Sequence, residues 1–178
     1  MDISTITEAF SDVTVQSPTV GVMLAGLLAV ALVFLSAFAS GSEIAFFSLS
    51  PSDVAELEDG KNPSDRKIQM LREDSERTLA TILITNNFVN VMIVMLLSNI
   101  FVSIVKFGPK AYWLEFLIMT VFLTFLLLLF GEIMPKVYCR QNPLRFCRRC
   151  VDAILFARKI FWPIETILLN SGMLAEKV

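Results

Sequence analysis

The chain has 178 residues, 55% of which are hydrophobic, and its mean hydropathy is +0.67. A soluble domain of this length does not carry three apolar runs of about 20 residues, so the composition excludes a soluble protein and indicates an integral membrane protein. The net charge is only −2 and by itself says little about partners. We expect no nucleic acid among them.

Residues 1–18 form a short acidic segment that contains three carboxylates and no Lys or Arg. This start lacks the basic region that opens a signal peptide. Because the segment is rich in Ser and Thr, we expect it to be polar and at best partly ordered.

The first predicted span covers about residues 19–49. Its first half is apolar and suited to lipid, whereas its second half contains Ser36, Ser40 and Glu43. These residues are spaced by four and then three positions, so they lie along one stripe of a helix. Pro51 ends the span.

Residues 51–76 are charged, and helix-start signals occur at Ser50-Pro51 and at Ser64-Asp65. We predict two short amphipathic juxtamembrane helices that lie at the membrane surface. Their apolar sides are formed by Val54 and Leu57 in the first and by Ile68 and Leu71 in the second.

The second predicted span, residues 78–105, has no charge but holds three asparagines near its middle. Asn86 and Asn90 are four positions apart and share one helix face, whereas Asn87 points about 100° away. An amide without a partner in hydrocarbon costs a few kcal/mol, so these groups must find partners. Two roles remain open for Asn86 and Asn90, which are hydrogen bonding between helices and coordination of a cation.

The third predicted span covers about residues 111–135 and ends in Gly131-Glu132-Ile133-Met134-Pro135. A proline removes the hydrogen bond to the carbonyl four residues back, which belongs to Gly131. The sequence therefore predicts a free backbone oxygen beside the Glu132 carboxylate. An intramembrane carboxylate is costly and usually functional, although Glu132 at the end of a span could instead pair with Lys136.

Residues 136–178 are basic and amphipathic, and we predict a cytoplasmic belt helix that lies along the bilayer surface. Charges interrupt every 20-residue window before Lys159, which argues against a fourth span. A re-entrant or tilted segment at Phe161–Leu169 is the alternative.

Cys147 and Cys150 have the spacing of half a zinc or redox motif. The chain has no His and only one further cysteine, Cys139, so a four-ligand zinc site cannot be completed. We expect the cysteines to be small apolar side chains on a membrane-facing helix.

Basic residues are unevenly distributed between the loops. None precedes the first span, five lie between the first and second, two between the second and third, and seven from Lys136 to Lys159. The positive-inside rule then places the N-terminus outside and the C-terminus in the cytoplasm. We expect a multi-pass protein of the cell inner (plasma) membrane.

The polar groups of all three spans are predicted to lie in the inner half of the membrane. Helix rise places Ser40 and Asn86 roughly 14–16 Å from the cytoplasmic ends of their spans. All the donors are hard oxygens, which suit Mg²⁺, Ca²⁺ or Na⁺ and not zinc or copper. The candidate ligands are Ser36, Ser40, Asn86, Asn90, the backbone of Gly131 and Glu132, with Glu43 as a further ligand or a holder of a coupling Na⁺.

The parts of an intramembrane enzyme are missing from the sequence. A serine hydrolase needs a His or Lys base, an aspartyl enzyme needs two intramembrane Asp, and a nucleotide-dependent enzyme needs a phosphate-binding loop. We therefore expect no enzymatic activity.

Three motifs occur in order along the chain, LSAFASGSEIAFFSLSP, LATILITNNFVNV and GEIMPK. Together they resemble the membrane domain of the CorC/cyclin-M (CNNM) family of magnesium transporters, over nearly the whole chain. The resemblance implies three transmembrane helices, paired juxtamembrane helices and a belt helix, assembled as a homodimer. It also implies Mg²⁺ export coupled to Na⁺ entry. The ligands that it implies for a largely dehydrated Mg²⁺ are Ser40, Asn86, Asn90, Glu132 and the backbone at Gly131, with Ser36 and Glu43 as second-tier residues.

Members of this family continue into a cytoplasmic CBS-pair domain that binds ATP. The sequence stops at Val178 without such a domain, so we expect either a natural short form or a part of a longer protein, with nucleotide regulation outside these residues. The expected fold is an all-α polytopic membrane protein. The competing hypothesis is a non-transporting scaffold or Mg²⁺ sensor that anchors cytoplasmic regulatory domains, in which the asparagines only hold helices together.

Overall fold

A computed structural model describes residues 13–108 and 111–175 of the chain. In chain order the helices are α1 (Val20–Phe47), α2 (Pro51–Glu58), α3 (Asp65–Glu73), α4 (Ser75–Ile104), α5 (Tyr112–Leu126), α6 (Met134–Cys139) and α7 (Pro143–Ala175). A π-helical segment, Leu127–Ile133, joins α5 to α6. Two short strands are β1 (Val13–Val15) and β2 (Val105–Phe107).

Three helices are long and apolar enough to cross a membrane, namely α1, α4 and the continuous helix Trp113–Cys139. This confirms the predicted helical membrane fold with three spans. The third helix continues past Pro135 to Cys139, four residues beyond the predicted end of the span. The π-helical segment ends at Ile133, two residues before Pro135, which has no backbone N–H to donate to a carbonyl of the preceding turn.

The two strands form an antiparallel ribbon at one end of the helix bundle. Val13 lies opposite Phe107 and Val15 lies opposite Val105. The ribbon joins the segment before α1 to the end of α4, and we call this the strand end of the molecule. The segment predicted to be polar and partly ordered thus includes a paired strand, while its first twelve residues lie outside the described part of the chain.

The opposite end, which we call the helical end, is built from α2, α3 and α7. Ser50 begins α2 with a reciprocal cap, in which its hydroxyl accepts the amide of Asp53 and the Asp53 carboxylate accepts the amide of Ser50. Such a cap contributes about 1 kcal/mol to helix stability. Pro51 occupies the first helical turn, where a proline is well tolerated.

The apolar sides of α2 and α3 are buried against α7. Leu57, Ile68 and Leu71 are fully buried and share one hydrophobic core with residues of α1, α4 and α7. Burial of each such side chain contributes about 1.5–3 kcal/mol. The two short helices were expected to lie on the membrane, but their apolar sides face protein because α7 covers them.

Two of the cysteines belong to the same core. Cys147 and Cys150 of α7 are fully buried there, and Cys139 of α6 is buried next to Gly41 of α1. The expectation that the cysteines face the membrane is wrong, because all three pack against protein instead of lipid.

An arginine on α7 ties the two short helices together. Arg148 donates from Nε to Asp65 Oδ1 at 2.8 Å and from Nη1 to Glu56 Oε1 at 2.9 Å. Hydrogen bonding from Arg148 holds the pKa of the Asp65 carboxyl below its usual range, and Asp65 in turn raises the pKa of Arg148. The Asp65 side chain is fully buried, so this pair orients α3 on α7 from within the core.

Helix α7 runs without a break from Pro143 to Ala175 and includes Pro163 in its interior. The segment Phe161–Leu169, for which a re-entrant path was the alternative, continues this same helix. The predicted belt segment therefore divides at a short turn after Cys139, where α6 ends the third span and α7 begins.

Candidate cation site between the three spans

The asparagines of α4 differ in exposure as their helical positions require. Asn86 is 5% exposed and faces α1, Asn90 is half-buried, and Asn87 is exposed. The spacing of four residues places Asn86 and Asn90 on one face of α4, and that face packs against the polar stripe of α1.

Two serines of α1 meet these asparagines. Asn86 Oδ1 accepts hydrogen bonds from Ser36 at 3.1 Å and from Ser40 at 3.2 Å. Asn90 Oδ1 lies 2.5 Å from the Ser36 hydroxyl oxygen. Ser36 and Ser40 are fully buried, so four oxygen atoms from two spans form one compact cluster inside the bundle.

The amide oxygens of Asn86 and Asn90 are turned towards the two serine hydroxyls. Three O···O contacts join these four atoms, and the Ser36 hydroxyl lies within hydrogen-bond distance of both amide oxygens. Four side-chain oxygens therefore converge on one small region, where they could coordinate a cation.

The third span reaches the cluster through a glycine. A Cβ added at Gly131 would lie 3.1 Å from the Ser36 hydroxyl oxygen. The absence of a side chain therefore lets the backbone of the π-helical segment approach Ser36 closely. Pro135 has no N–H, so one backbone carbonyl of the preceding turn lacks its helical hydrogen bond. That carbonyl belongs to Gly131 if the hydrogen bond spans four residues, as in an α-helix, or to Phe130 if it spans five, as in a π-helix.

The two carboxylates predicted for the site have different surroundings. Lys136 Nζ contacts Glu43 Oε2 at 3.0 Å, so the basic side chain proposed as a partner for Glu132 is engaged by Glu43. Glu132 is half-buried on the π-helical segment and makes no hydrogen bond or ion pair within residues 13–108 and 111–175. Its carboxylate is therefore available to a ligand, whereas that of Glu43 is not while this pair is formed.

Apolar side chains close the cluster on the side of the strand end. Leu32, Val89 and Ile93 form a buried cluster next to the serines and asparagines, and Leu127 packs against it. The Glu43–Lys136 pair lies one turn beyond Ser40 towards the helical end.

The donor set indicates which ions fit. Neutral amide, hydroxyl and backbone oxygens with one nearby carboxylate suit hard cations such as Mg²⁺. In the described parts of the chain, no group of three or more His, Cys, Asp or Glu side chains is placed to hold a metal. Any ion bound between the spans is therefore held mainly by neutral oxygens.

One buried carboxylate was missed by the sequence analysis. Glu165 of α7 is fully buried against α4, where its Oε1 lies 2.6 Å from the Thr81 hydroxyl oxygen. It is the only charged residue between Phe161 and Ala175, and this isolated acidic residue in an apolar stretch was the signal that could have revealed it.

Comparison with known proteins gives one family and several relatives. Residues 27–177 match the model of the cyclin M transmembrane N-terminal domain. A putative chloroplastic DUF21 domain-containing protein of Arabidopsis thaliana is 33% identical over 151 residues, which cover 84% of this chain and 22% of that protein. The metal transporter cnnm-4 of Caenorhabditis elegans is 31% identical over 144 residues, 76% of this chain and 29% of that protein.

A bacterial relative shows the same partial coverage. The UPF0053 protein of Haemophilus influenzae is 30% identical over 134 residues, which cover 75% of this chain and 30% of that protein. The chain thus spans less than a third of the length of each of these three relatives.

Proposed function

This chain belongs to the cyclin M transmembrane-domain family, and from this membership we propose that it transports Mg²⁺ through the oxygen cluster between its three spans. The resemblance stated from its sequence motifs is confirmed by that match. The observation that carries the proposal is the convergence of Ser36, Asn86 and Asn90, whose side-chain oxygens meet inside the bundle. The name of the metal transporter cnnm-4 agrees with a metal ion as cargo.

The described contacts suggest a role for each ligand. The amide oxygens of Asn86 and Asn90 and the hydroxyl oxygens of Ser36 and Ser40 replace water around the ion. The half-buried Glu132 supplies the negative charge that partly offsets the charge of Mg²⁺, and a carbonyl near Gly131 supplies a further oxygen. Mg²⁺ requires six ligands at about 2.0–2.1 Å, so the spans must draw together slightly when it binds.

Export with Na⁺ entry is the mode of transport that we propose. The apolar cluster closes the site on the side of the strand end, and we propose that the ion enters from the helical end, which carries the basic loops. If the positive-inside rule holds, the helical end is cytoplasmic and the N-terminus is outside, so Mg²⁺ enters the site from the cytoplasm. Opening of the Glu43–Lys136 pair would then free Glu43 for a coupling Na⁺ in an outward-open state.

The same family membership supports a proposal for the assembly and the location. We propose a homodimer in the cell inner (plasma) membrane, with α7 as the cytoplasmic belt helix. Because the chain spans only part of its relatives, regulation by a CBS-pair domain is proposed for the longer protein and not for these residues.

Isothermal titration of the purified chain with Mg²⁺ tests the site. Asn90→Ala and Ser36→Ala remove oxygens of the cluster, and we expect each to weaken Mg²⁺ binding at least tenfold, about 1.4 kcal/mol. Asn87→Ala is the matched control, because Asn87 is an exposed amide of the same helix and should leave the affinity unchanged.

The same titration separates transport from the scaffold hypothesis. Saturable binding that is lost in Asn90→Ala but retained in Asn87→Ala supports the transport site. Folded protein that binds no Mg²⁺, or equal binding by all variants, would contradict it and favour a scaffold in which the asparagines serve only helix packing. Flux of Mg²⁺ from liposomes with and without a Na⁺ gradient then tests the direction and the coupling.

A further inference from the structure

A buried carboxylate lies outside the cluster already described. Glu165 of α7 is fully buried, and its Oε1 lies 2.6 Å from Thr81 Oγ1 of α4. Its Oε2 is also buried and has no hydrogen-bond partner among the residues that the structure describes. An uncompensated carboxylate in such a place costs several kcal/mol, so a positive charge or a proton must neutralise it.

The hydroxyl group of Thr81 has two oxygen neighbours but only one proton. The Thr81 hydroxyl oxygen lies 2.8 Å from the Arg77 carbonyl oxygen and 2.6 Å from Glu165 Oε1. One hydroxyl proton cannot fill both contacts. If Thr81 donates to the Arg77 carbonyl, then the Thr81 hydroxyl oxygen and an ionised Glu165 Oε1 lie at hydrogen-bond distance with no proton between them.

No charged side chain in the described structure forms an ion pair with Glu165. Arg77 Nε lies 3.8 Å from Asp74 Oδ2 and is itself buried without a hydrogen-bond partner among the described residues. Asp74 also pairs with Arg158 of α7. On α1 the only charged residue is Glu43, which pairs with Lys136. The remaining charged residues near this contact along the chain are Arg72 and Glu73 of α3, Glu76 of α4 and Lys159 of α7, and in the described structure none forms an ion pair with Glu165.

We propose that Glu165 and Thr81 bind one small monovalent cation, a proton or Na⁺, between α7 and α4. A proton on Oε1 would donate to Thr81, which would then donate to the Arg77 carbonyl, so that every contact holds one proton. Na⁺ would instead be coordinated by the carboxylate, the Thr81 hydroxyl and the Arg77 carbonyl, all of which are hard oxygens. In either case the single positive charge of the ligand neutralises the single negative charge of the carboxylate.

This site is separate from the cluster between the spans. Thr81 precedes Asn86 by five residues, about 7.5 Å along the helix axis, and the two sites share no side chain. The proposal therefore stands whether or not the asparagine cluster binds Mg²⁺.

Occupancy of the site would control how α7 packs on α4. A cavity of about 380 Å³ lies between α1, α4 and α7, and its lining is mostly apolar and includes Thr81, Ile160 and Phe161. An ionised Glu165 without its cation would be a bare charge beside this cavity. Loss of the cation would therefore loosen the end of α7 that follows Pro163.

Infrared difference spectroscopy tests the proposal on the whole chain without Mg²⁺. Wild type and Glu165→Gln are compared at pH 7 in sodium chloride and in choline chloride, with size-exclusion profiles to verify folding. Glu58→Gln is the matched control, because Glu58 is exposed at the end of α2.

Each outcome decides the question. A protonated-carboxyl band that is absent from Glu165→Gln in both salts identifies a proton, whereas Glu165 carboxylate bands that shift between sodium and choline identify Na⁺. Glu165 carboxylate bands that are insensitive to the salt would overturn the proposal and show an ionised Glu165 without a bound cation.

A second pair of variants tests the role of Thr81. Thr81→Val removes the hydroxyl at nearly constant volume, while Thr81→Ser retains it. We expect the infrared carboxyl or carboxylate band of Glu165 to shift in Thr81→Val and to keep its frequency in Thr81→Ser. An unchanged band in Thr81→Val would remove Thr81 from the site and overturn the assignment.

Discussion

At the scale of single residues, the oxygen cluster depends on a close approach between Ser36 and Gly131. The Ser36 hydroxyl contacts the amide oxygens of both Asn86 and Asn90, and Gly131 leaves just enough room for it. A methyl group at Gly131 would lie 3.1 Å from that hydroxyl oxygen, which is tighter than ordinary packing.

Gly131→Ala should therefore displace Ser36 and weaken Mg²⁺ binding about tenfold. Titration calorimetry measures this effect directly. The matched control is Gly26→Ala in α1, because a Cβ at Gly26 meets nothing within 4 Å. Gly26→Ala should leave Mg²⁺ affinity unchanged, and it should stabilise the helix by about 0.5–1 kcal/mol. Equal affinities for wild type and Gly131→Ala would argue that Ser36 is not part of the site.

At the scale of helices, the packing of α1 on the end of the third span also depends on a glycine. A Cβ at Gly41 would lie 2.5 Å from Cys139 Sγ and 3.2 Å from the ring of Phe146. Such a contact cannot form unless the Cys139 side chain rotates or α6 moves away from α1.

Gly41→Ala should lower the free energy of unfolding by about 1–3 kcal/mol, as overpacked cores do. Thermal denaturation in detergent measures the loss. Adding Cys139→Ala removes the sulfur and should recover much of the stability, although the Phe146 contact remains. If the double variant is no more stable than Gly41→Ala alone, the cysteine is not the obstacle.

The π-helical segment is the second feature at this scale. It widens the third span between Leu127 and Ile133 and brings Gly131 close to Ser36 of α1, with Glu132 as the next residue. Pro135 favours this irregularity because it removes the donor that would complete a regular α-helix.

Pro135→Ala restores that donor, so we expect the segment to relax towards an α-helix and rotate Glu132 relative to the cluster. Mg²⁺ affinity should fall about tenfold while thermal stability is retained or increased. Pro163→Ala adds a donor inside α7, away from the cluster, and should leave Mg²⁺ affinity unchanged. Unchanged binding by Pro135→Ala would show that the π-helical geometry is not needed.

At the scale of the whole molecule, the helical end is held together by one buried core and by ion pairs of α7, of which Asp65–Arg148 has a fully buried carboxylate. Leu57, Ile68 and Leu71 fasten α2 and α3 onto α7, and the Asp65–Arg148 pair lies within this interface. Because the folded-state pKa of Asp65 lies below its usual value, the ionised pair stabilises the folded protein above about pH 4. This contribution is lost as the pH falls through the lowered pKa.

Acid unfolding tests this pair. Wild type should lose stability as the pH falls below about 4, and Asp65→Asn should lower the melting temperature at pH 7 and remove that part of the pH dependence. Asp59→Asn is the control, because Asp59 pairs with Lys61 at an exposed site where ion pairs contribute little. Parallel acid-unfolding curves for wild type and Asp65→Asn would contradict the assignment.

Much of this fold and part of the candidate site could be predicted from the sequence. Long uncharged runs require membrane spans because backbone groups in lipid must pair within a helix. The spacing of Asn86 and Asn90 places them on one helix face, and the spacing of Ser36 and Ser40 does the same on α1. Both faces are polar within apolar helices, so their meeting in the bundle was predictable as well.

Only the tertiary structure decided which groups form pairs. Lys136 lies one turn from Glu132 along the chain, yet it contacts Glu43 of another span. Leu57 was expected at the membrane surface but is buried under α7, and Glu165 meets Thr81 across 84 positions of sequence. Hydrophobicity and helical periodicity are local properties that determine which segments cross the membrane and which faces are polar. The partners of a charged or buried side chain depend instead on distances between helices, and these distances are set by packing throughout the bundle.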